Sequence, residues 1–235
     1  MLALISGTDL PLLFAGLEPP PAPPVALPAD AEVRALTESA VSSTGRVEGT
    51  GCGAWHQVGS GFFISSNHLV TNAHVVAGTD STTVTLGPTT YATSVVMFDP
   101  NSDIAVLYAP GASVPALTLS SETPARGTTG VALGYPGGGP LTFSAAAVTA
   151  NHQVSGPNIY GEGSYPHSVV EIRADIRQGS SGGPLVVAPG VVGGVVVGES
   201  RPAADVGYAI DAPEAAAAIG DAVRRTEPVG TGPCG

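Results

Sequence analysis

Residues 59–76 read GSGFFISSNHLVTNAHVV. Gly61–Ser65 and Leu69–Thr71 have the composition of two short strands, and the Ser-Ser-Asn between them is turn material. Past the second strand the chain enters a short helical turn that carries His74, with the small Ala73 beside it. The same texture runs outward from about Gln57 to Ile210. Further candidate strands are 83–86, 93–98, 104–108, 131–135, 141–149, 168–174, 185–187, 191–197 and 207–210, and Gly, Pro, Asn, Asp or Ser fills nearly every gap. So many short strands in a chain of 235 residues argue for an all-β sandwich or a pair of barrels, a class that often reaches this length as one unit.

Two segments depart from the pattern. From Asp30, a candidate N-cap, the residues Val33, Leu36, Ala40 and Val41 recur at helical spacing, and Gly45 is placed to end the helix. PEAAAAIGDAVRR, 213–225, is the stronger helix, with Pro213 in its first turn and Arg224 and Arg225 suited to the negative end of its dipole. Upstream, EPPPAPPVALP at 18–28 reads as an extended, semi-rigid linker. Met1 to Leu17 is apolar but lacks a basic n-region and contains Asp9 and Pro11, so it is a poor export signal and too short to span a bilayer. The expected organisation is an apolar start and linker over 1–29 and one folded domain over 30–235. That domain divides into an N-terminal barrel at about 50–115, a C-terminal barrel at about 125–211 and a helix at about 213–226.

Hydrophobic residues make up 43% of the chain and charged residues 11%, against about 25% charged in an average domain. All eight basic residues are Arg, and the net charge is −11. Such a chain repels nucleic acid and anionic lipid, so neither is an expected partner. The two cysteines, Cys52 and Cys234, flank the region rich in strands. There is no CxxC, and no Cys lies beside His at ligand spacing, so neither a metal site nor a cofactor is expected. A pair so placed reads as a disulfide formed in an oxidising compartment, with two separate thiols as the alternative.

Three short stretches carry chemistry. In QGSSGGPL, 178–185, a Ser between glycines exposes its hydroxyl on a tight turn, and the N–H groups of Gly179 and Ser181 are placed to form an oxyanion hole. Alone, a Gly/Ser loop reads equally well as a flexible turn. His74 alone reads as a core histidine. In DPNSDIAVLYA, 99–109, Asp103 opens an apolar strand and needs a donor such as an imidazole N–H if it is buried, whereas Asp99 suits a turn. The three stretches support one another, because His74, Asp103 and Ser181 come in the chain order of the chymotrypsin class.

GSGFFISSNHLVTNAHVV, DIAVLYA, GYPGG and QGSSGGPL together resemble the trypsin/HtrA branch of chymotrypsin-fold serine proteases over about 58–211. The Gly-Cys-Gly before the first strand, the closing Cys234–Gly235, the proline linker and DVGYAID resemble more narrowly the membrane-anchored acid-resistance proteases of actinobacteria. The resemblance implies two six-stranded antiparallel barrels with a short N-terminal and a C-terminal helix. It also implies a monomeric serine endopeptidase acting on envelope proteins outside the cytoplasm, tethered to the membrane by an anchor upstream of this chain. Ser180 stands where trypsin carries an Asp before its nucleophile, so activation by a freed N-terminus is not expected. Substrate contacts are expected from Asp175 and Gln178 and from the strand carrying Val195, Val196 and Val197, with an apolar pocket favoured over a basic-residue selector at Asp175. The remaining histidines, His56, His68, His152 and His167, lack ligand spacing. The rival readings are a binding or chaperone-like module without activity and a hydrolase of small esters.

Overall fold

The computed structural model describes residues 24–51, 55–199 and 205–234. The apolar start, most of the proline linker and Cys52 lie outside the described residues. The first barrel is built from β1 (Thr44–Gly51), β2 (Trp55–Phe63), β3 (His68–Thr71), β4 (Thr79–Leu86), β5 (Thr89–Asp99) and β6 (Ile104–Tyr108), closed in the order β1-β2-β3-β6-β5-β4. β1 closes it by pairing on both edges, so that Val47 lies opposite Gly59 on β2 and Val84 on β4.

After the short β7 (Thr118–Leu119) come β8 (Thr129–Gly134), β9 (Thr142–Gly156), β10 (Tyr165–Arg173), β11 (Pro184–Ala188), β12 (Val191–Glu199) and β13 (Val206–Asp211). They run in the order β11-β8-β9-β10-β13-β12, and the β11–β12 pairing closes the ring while β7 lies parallel on β12. The fold is therefore all-β, with two closed six-stranded barrels. Closure leaves few strand edges exposed.

The burial pattern explains why the apolar runs are continuous rather than alternating. Phe63, Leu69, Val84 and Leu107 fill the first barrel, and Ala132, Ile172, Leu185, Val196 and Ala209 fill the second. Their chain neighbours Phe62, Val70, Val106, Leu133, Val195 and Tyr208 point the other way, into a seam between the barrels. A strand apolar on both faces shows no period of two. The seam also receives Leu36 and Ala40 from the N-terminal helix α1 (Asp30–Ala40) and Ala215 and Ile219 from the C-terminal helix.

The structure alters several expectations. α1 starts with Asp30 as its first helical residue and Ala29 as its cap, and a 3-10 turn at Val41–Ser43 leads into β1. β1 itself, TGRVEGTG, was not expected, because glycine and threonine hide its pattern. The C-terminal helix is shorter than expected. It is α3 (Ala212–Ile219), and Gly220, at φ 50°, ends it, so Arg224 and Arg225 sit beyond its dipole. Beyond α3 the tail crosses the first barrel, where Val229 N donates to Val95 O and Gly78 N donates to Thr231 O.

Candidate active site

The loop after β3 turns directly into α2 (Ala73–Val76), which presents His74. The chain before β6 presents Asp103. The Asp99 carboxylate accepts from Asn101 N at 2.9 Å and Ser102 Oγ at 2.6 Å, which makes the tight turn that delivers Asp103. Asp103 has φ 55° and is fully buried. Asp and Asn enter the left-handed region more readily than most side chains. Its backbone is tied back by Asn72 Nδ2, which donates to Asp103 O at 2.9 Å.

The buried carboxylate has the donors it needs. His74 N donates to Oδ1 at 2.9 Å, and His74 Nδ1 lies 2.8 Å from Oδ2 and 3.0 Å from Oδ1. A carboxylate can only accept, so Nδ1 carries the proton and Nε2 is left as the basic nitrogen. Burial of Asp103 keeps this pair out of competition with water.

The third residue comes from the other barrel. Ser181 follows Gly179 in the loop between β10 and β11, and glycines meet both close approaches of the loop. Gly179 has φ 95°, and a Cβ there would lie 2.6 Å from Tyr135 O and 2.7 Å from Gly137 N. Gly182 has φ 84°, and a Cβ there would run into Ser60 O and the Thr71 hydroxyl. That contact, next to Asn72, brings the Ser181 loop against the segment that leads into His74. Across the cleft, Gly59 separates Val75 of α2 from Ser181 O.

Ser181 Oγ donates to Val197 O at 2.7 Å, and among the described residues it makes no hydrogen bond to His74. A rotation about Cα–Cβ redirects it, and such bonds are often unformed until substrate arrives. The two expected oxyanion donors are free: Gly179 N and Ser181 N donate to no other described residue. The opposite ends of their peptide units are held, because Gln178 O accepts from Gly137 N at 2.8 Å and Ser180 O accepts from Gly183 N at 3.0 Å. A peptide's C=O and N–H point in opposite directions, so holding the carbonyls aims both N–H groups at the opposite side of the loop.

The expected specificity residues fare differently. Val195, Val196 and Val197 are core, at 0%, 0% and 1% exposure. The Val197 carbonyl accepts from Ser181 Oγ. Asp175 is not a buried selector. Its carboxylate forms an exposed ion pair with Arg177, at 2.7 Å and 3.2 Å. It lines a cavity of about 330 Å³ with Phe143, Ser144, Pro136 and Ser180, which neither Gln178 nor Val197 enters. Gln178 is exposed beside the nucleophile loop and stays a candidate substrate contact.

The histidines outside the site have structural partners. His56 pairs with Glu48, His152 with the buried Glu171, and His167 with Glu214. His68 lies 2.8 Å from Arg225 O through Nε2 and tilts against Tyr108. The sequence reading missed Ser60. It is fully buried and bonded to both Gly179 and Ser181, and its one signal was a lone hydroxyl inside the GSGFF run.

The chain is similar to known proteases. Residues 59–195 match the family described as "Trypsin-like peptidase domain". The chain is 42% identical over 177 residues to the serine protease Rv3671c of Mycobacterium tuberculosis, a match covering 75% of this chain and 44% of that protein. It is 34% identical over 140 residues to a probable periplasmic serine endoprotease, DegP-like, of Hahella chejuensis, covering 58% of this chain and 29% of that one. The chain thus spans less than half the length of either relative. Among solved structures, the active form of the Rv3671c protease from M. tuberculosis superposes with a TM-score of 0.86 at 37% identity, covering 93% of this chain and 97% of that one. With its two barrels and its matched family region, this chain belongs to the trypsin-like peptidase family of serine proteases.

Proposed function

We propose that the domain is a serine endopeptidase in which His74, Asp103 and Ser181 form the catalytic triad and the N–H groups of Gly179 and Ser181 form the oxyanion hole. The observation that carries the reading is the buried Asp103 carboxylate fixed on His74 Nδ1 at 2.8 Å, which leaves Nε2 available as the base. The roles follow the chymotrypsin template. Ser181 Oγ turns from Val197 O to His74 and attacks the scissile carbonyl as Nε2 takes its proton. The oxyanion develops against the Gly179 and Ser181 N–H groups. His74 then returns the proton to the leaving amine. Water, deprotonated by His74 in turn, hydrolyses the acyl-enzyme.

The substrates proposed are proteins of the cell envelope, cleaved outside the cytoplasm in resistance to acid stress, by a monomeric domain tethered through an upstream anchor. The name of the DegP-like relative, a periplasmic endoprotease, supports that location. Among the described residues no helix is long and apolar enough to cross a membrane. The pairing of Cys52 with Cys234 is also proposed. No free cysteine occurs among the described residues, and Thr231 docks on Gly78, whose neighbour Thr79 pairs with Gly51, the residue before Cys52.

The Ser181–Val197 bond favours one second reading, a binding module whose nucleophile is turned away. Digestion of a whole-proteome peptide library by the purified domain, alongside a panel of short-chain esters, separates the readings. Cleaved peptides with a shared residue at the cut site are the expected result. Turnover of esters alone, or of neither, contradicts endopeptidase function.

A further inference from the structure

Ser60 sits on β2 of the first barrel, fully buried, yet its bonds all serve the nucleophile loop and its supports. Ser60 N donates to Ser181 O at 2.7 Å. Ser60 Oγ donates to Gly179 O at 2.7 Å and accepts from Tyr135 N at 2.9 Å. Ser60 O accepts from Thr71 Oγ1 at 2.7 Å, two residues beyond which lies Ala73 at the start of the His74 helix. One residue therefore touches the oxyanion glycine, the nucleophile, the turn after β8 and the end of β3.

We infer that the Ser60 hydroxyl is a positioning residue for the oxyanion hole, holding the Gly179 carbonyl so that the N–H groups on either side of it stay aimed at the substrate. Gly179 is the weak point of the loop, because at φ 95° it has the freedom that only glycine has and the most conformations to escape to. Gln178 O and Ser180 O are already held by backbone donors. The carbonyl between them, Gly179 O, is the one fixed by a side chain. Without the hydroxyl, Gly179 O and Tyr135 N lose their shared partner among buried residues, and rotation of the 179–180 peptide is the available relief. That rotation turns Gly179 ψ and Ser180 φ, the torsions that join this peptide to the two carrying Gly179 N and Ser181 N, and so takes those N–H groups out of register with the oxyanion. The Ser60 N to Ser181 O bond is made by backbone and survives side-chain removal, so the nucleophile's own anchor is kept.

The inference rests on the triad reading above, and the test separates the two. The variants are Ser60→Ala, which deletes the hydroxyl, and Ser60→Thr, which restores one on the same Cβ. Each is measured with the wild type for melting temperature, fluorophosphonate-titrated active sites, kcat and KM on one peptide substrate, and Ki for a peptide aldehyde of the same sequence. The aldehyde adds Ser181 Oγ to its carbonyl carbon, the hydroxyl proton passes to His74, and the resulting hemiacetal oxygen occupies the oxyanion position. Ser60→Ala is expected to lower kcat per titrated site about 10–100-fold, less than the roughly 10²–10³-fold cost of losing a whole donor. KM stays within a few-fold, and Ki for the aldehyde rises by the factor by which kcat/KM falls. Ser60→Thr recovers most of the loss. If Ser60→Thr does not fold, the parallel change of aldehyde Ki and kcat/KM in Ser60→Ala decides alone. A wild-type kcat per titrated site in Ser60→Ala, or a fall in kcat without a matching rise in aldehyde Ki, overturns the positioning role and leaves the triad standing. A wild-type protein that neither labels nor turns over overturns both.

Discussion

The two barrels supply the site in different ways. On the first, His74 and Asp103 stand on elements stiffened by their own strands, and the pair is made by direct side-chain bonds: Asp103 is buried, tied by Asn72, and accepts twice from His74. On the second, Ser181, the proposed nucleophile, and the proposed oxyanion donors ride on a glycine-rich loop whose geometry is held from outside, by Gly137, Gly183 and Ser60. The His74–Asp103 half is held by its own side-chain bonds, and the Ser181 half by clamps from outside the loop. Substitutions on the first should therefore strike chemistry with little structural ambiguity, whereas substitutions on the second act through the clamps.

The largest expected effect lies on the first barrel. In Asp103→Asn the amide keeps an oxygen for His74 N but turns its NH₂ toward Nδ1, which must then accept, and the imidazole proton moves to Nε2. His74 can no longer take the Ser181 proton, and the same change lowers kcat about 10⁴-fold in the chymotrypsin template. Asn also suits φ 55°, so the melting temperature should shift little. Steady-state kinetics beside a thermal melt check this, and an active Asp103→Asn variant breaks the assigned role.

The proposed bridge between Cys52 and Cys234 comes next. Cys234→Ser is expected to destabilise the fold by about 3–5 kcal/mol, since a closed loop of ~100 residues is worth about 4.7 kcal/mol in the chain-entropy model and this one is longer. At about 2–4 °C per kcal/mol for a chain of this size, that lowers Tm by about 10 °C. Cys52→Ser should fall equally, and the double variant no further. Unchanged melting in both, with two thiols titrating in the denatured, unreduced protein, removes the bridge.

The smallest effect lies where the second barrel meets α3. Asp211 is buried, and burial raises its carboxyl above the usual range, with Thr123 Oγ1 donating at 2.5 Å as a partial offset. A carboxyl whose folded pKa is raised binds its proton more tightly in the native state than in the unfolded one. Its ionisation therefore costs stability above the folded pKa, and the cost disappears as pH falls below the unfolded value. Asp211→Asn should raise Tm modestly at neutral pH and converge with wild type in acid. A lower Tm at neutral pH would show that the charge is needed there.

Much of this was legible before any coordinates. β6 runs over Ile104–Tyr108, as its apolar run indicated, because β-branched residues bounded by a turn leave little choice. His74 and Asp103 were recognisable because a buried acid must have a donor. Two features were not legible, each for a physical reason. TGRVEGTG hid a strand because closure by pairing on both edges needs no apolar alternation. Ser60 was invisible because the partners of its hydroxyl are backbone atoms up to 119 residues away, and backbone partners leave no trace in residue identity.

The central claim is that Ser181 is the nucleophile activated by His74. It is tested most directly by treating the purified domain with a fluorophosphonate and locating the adduct by peptide mass spectrometry. One phosphonyl group is expected on Ser181, none in Ser181→Ala, and labelling slowed by several orders of magnitude in His74→Ala. An adduct on another residue, or labelling of Ser181 at the wild-type rate without His74, would contradict it.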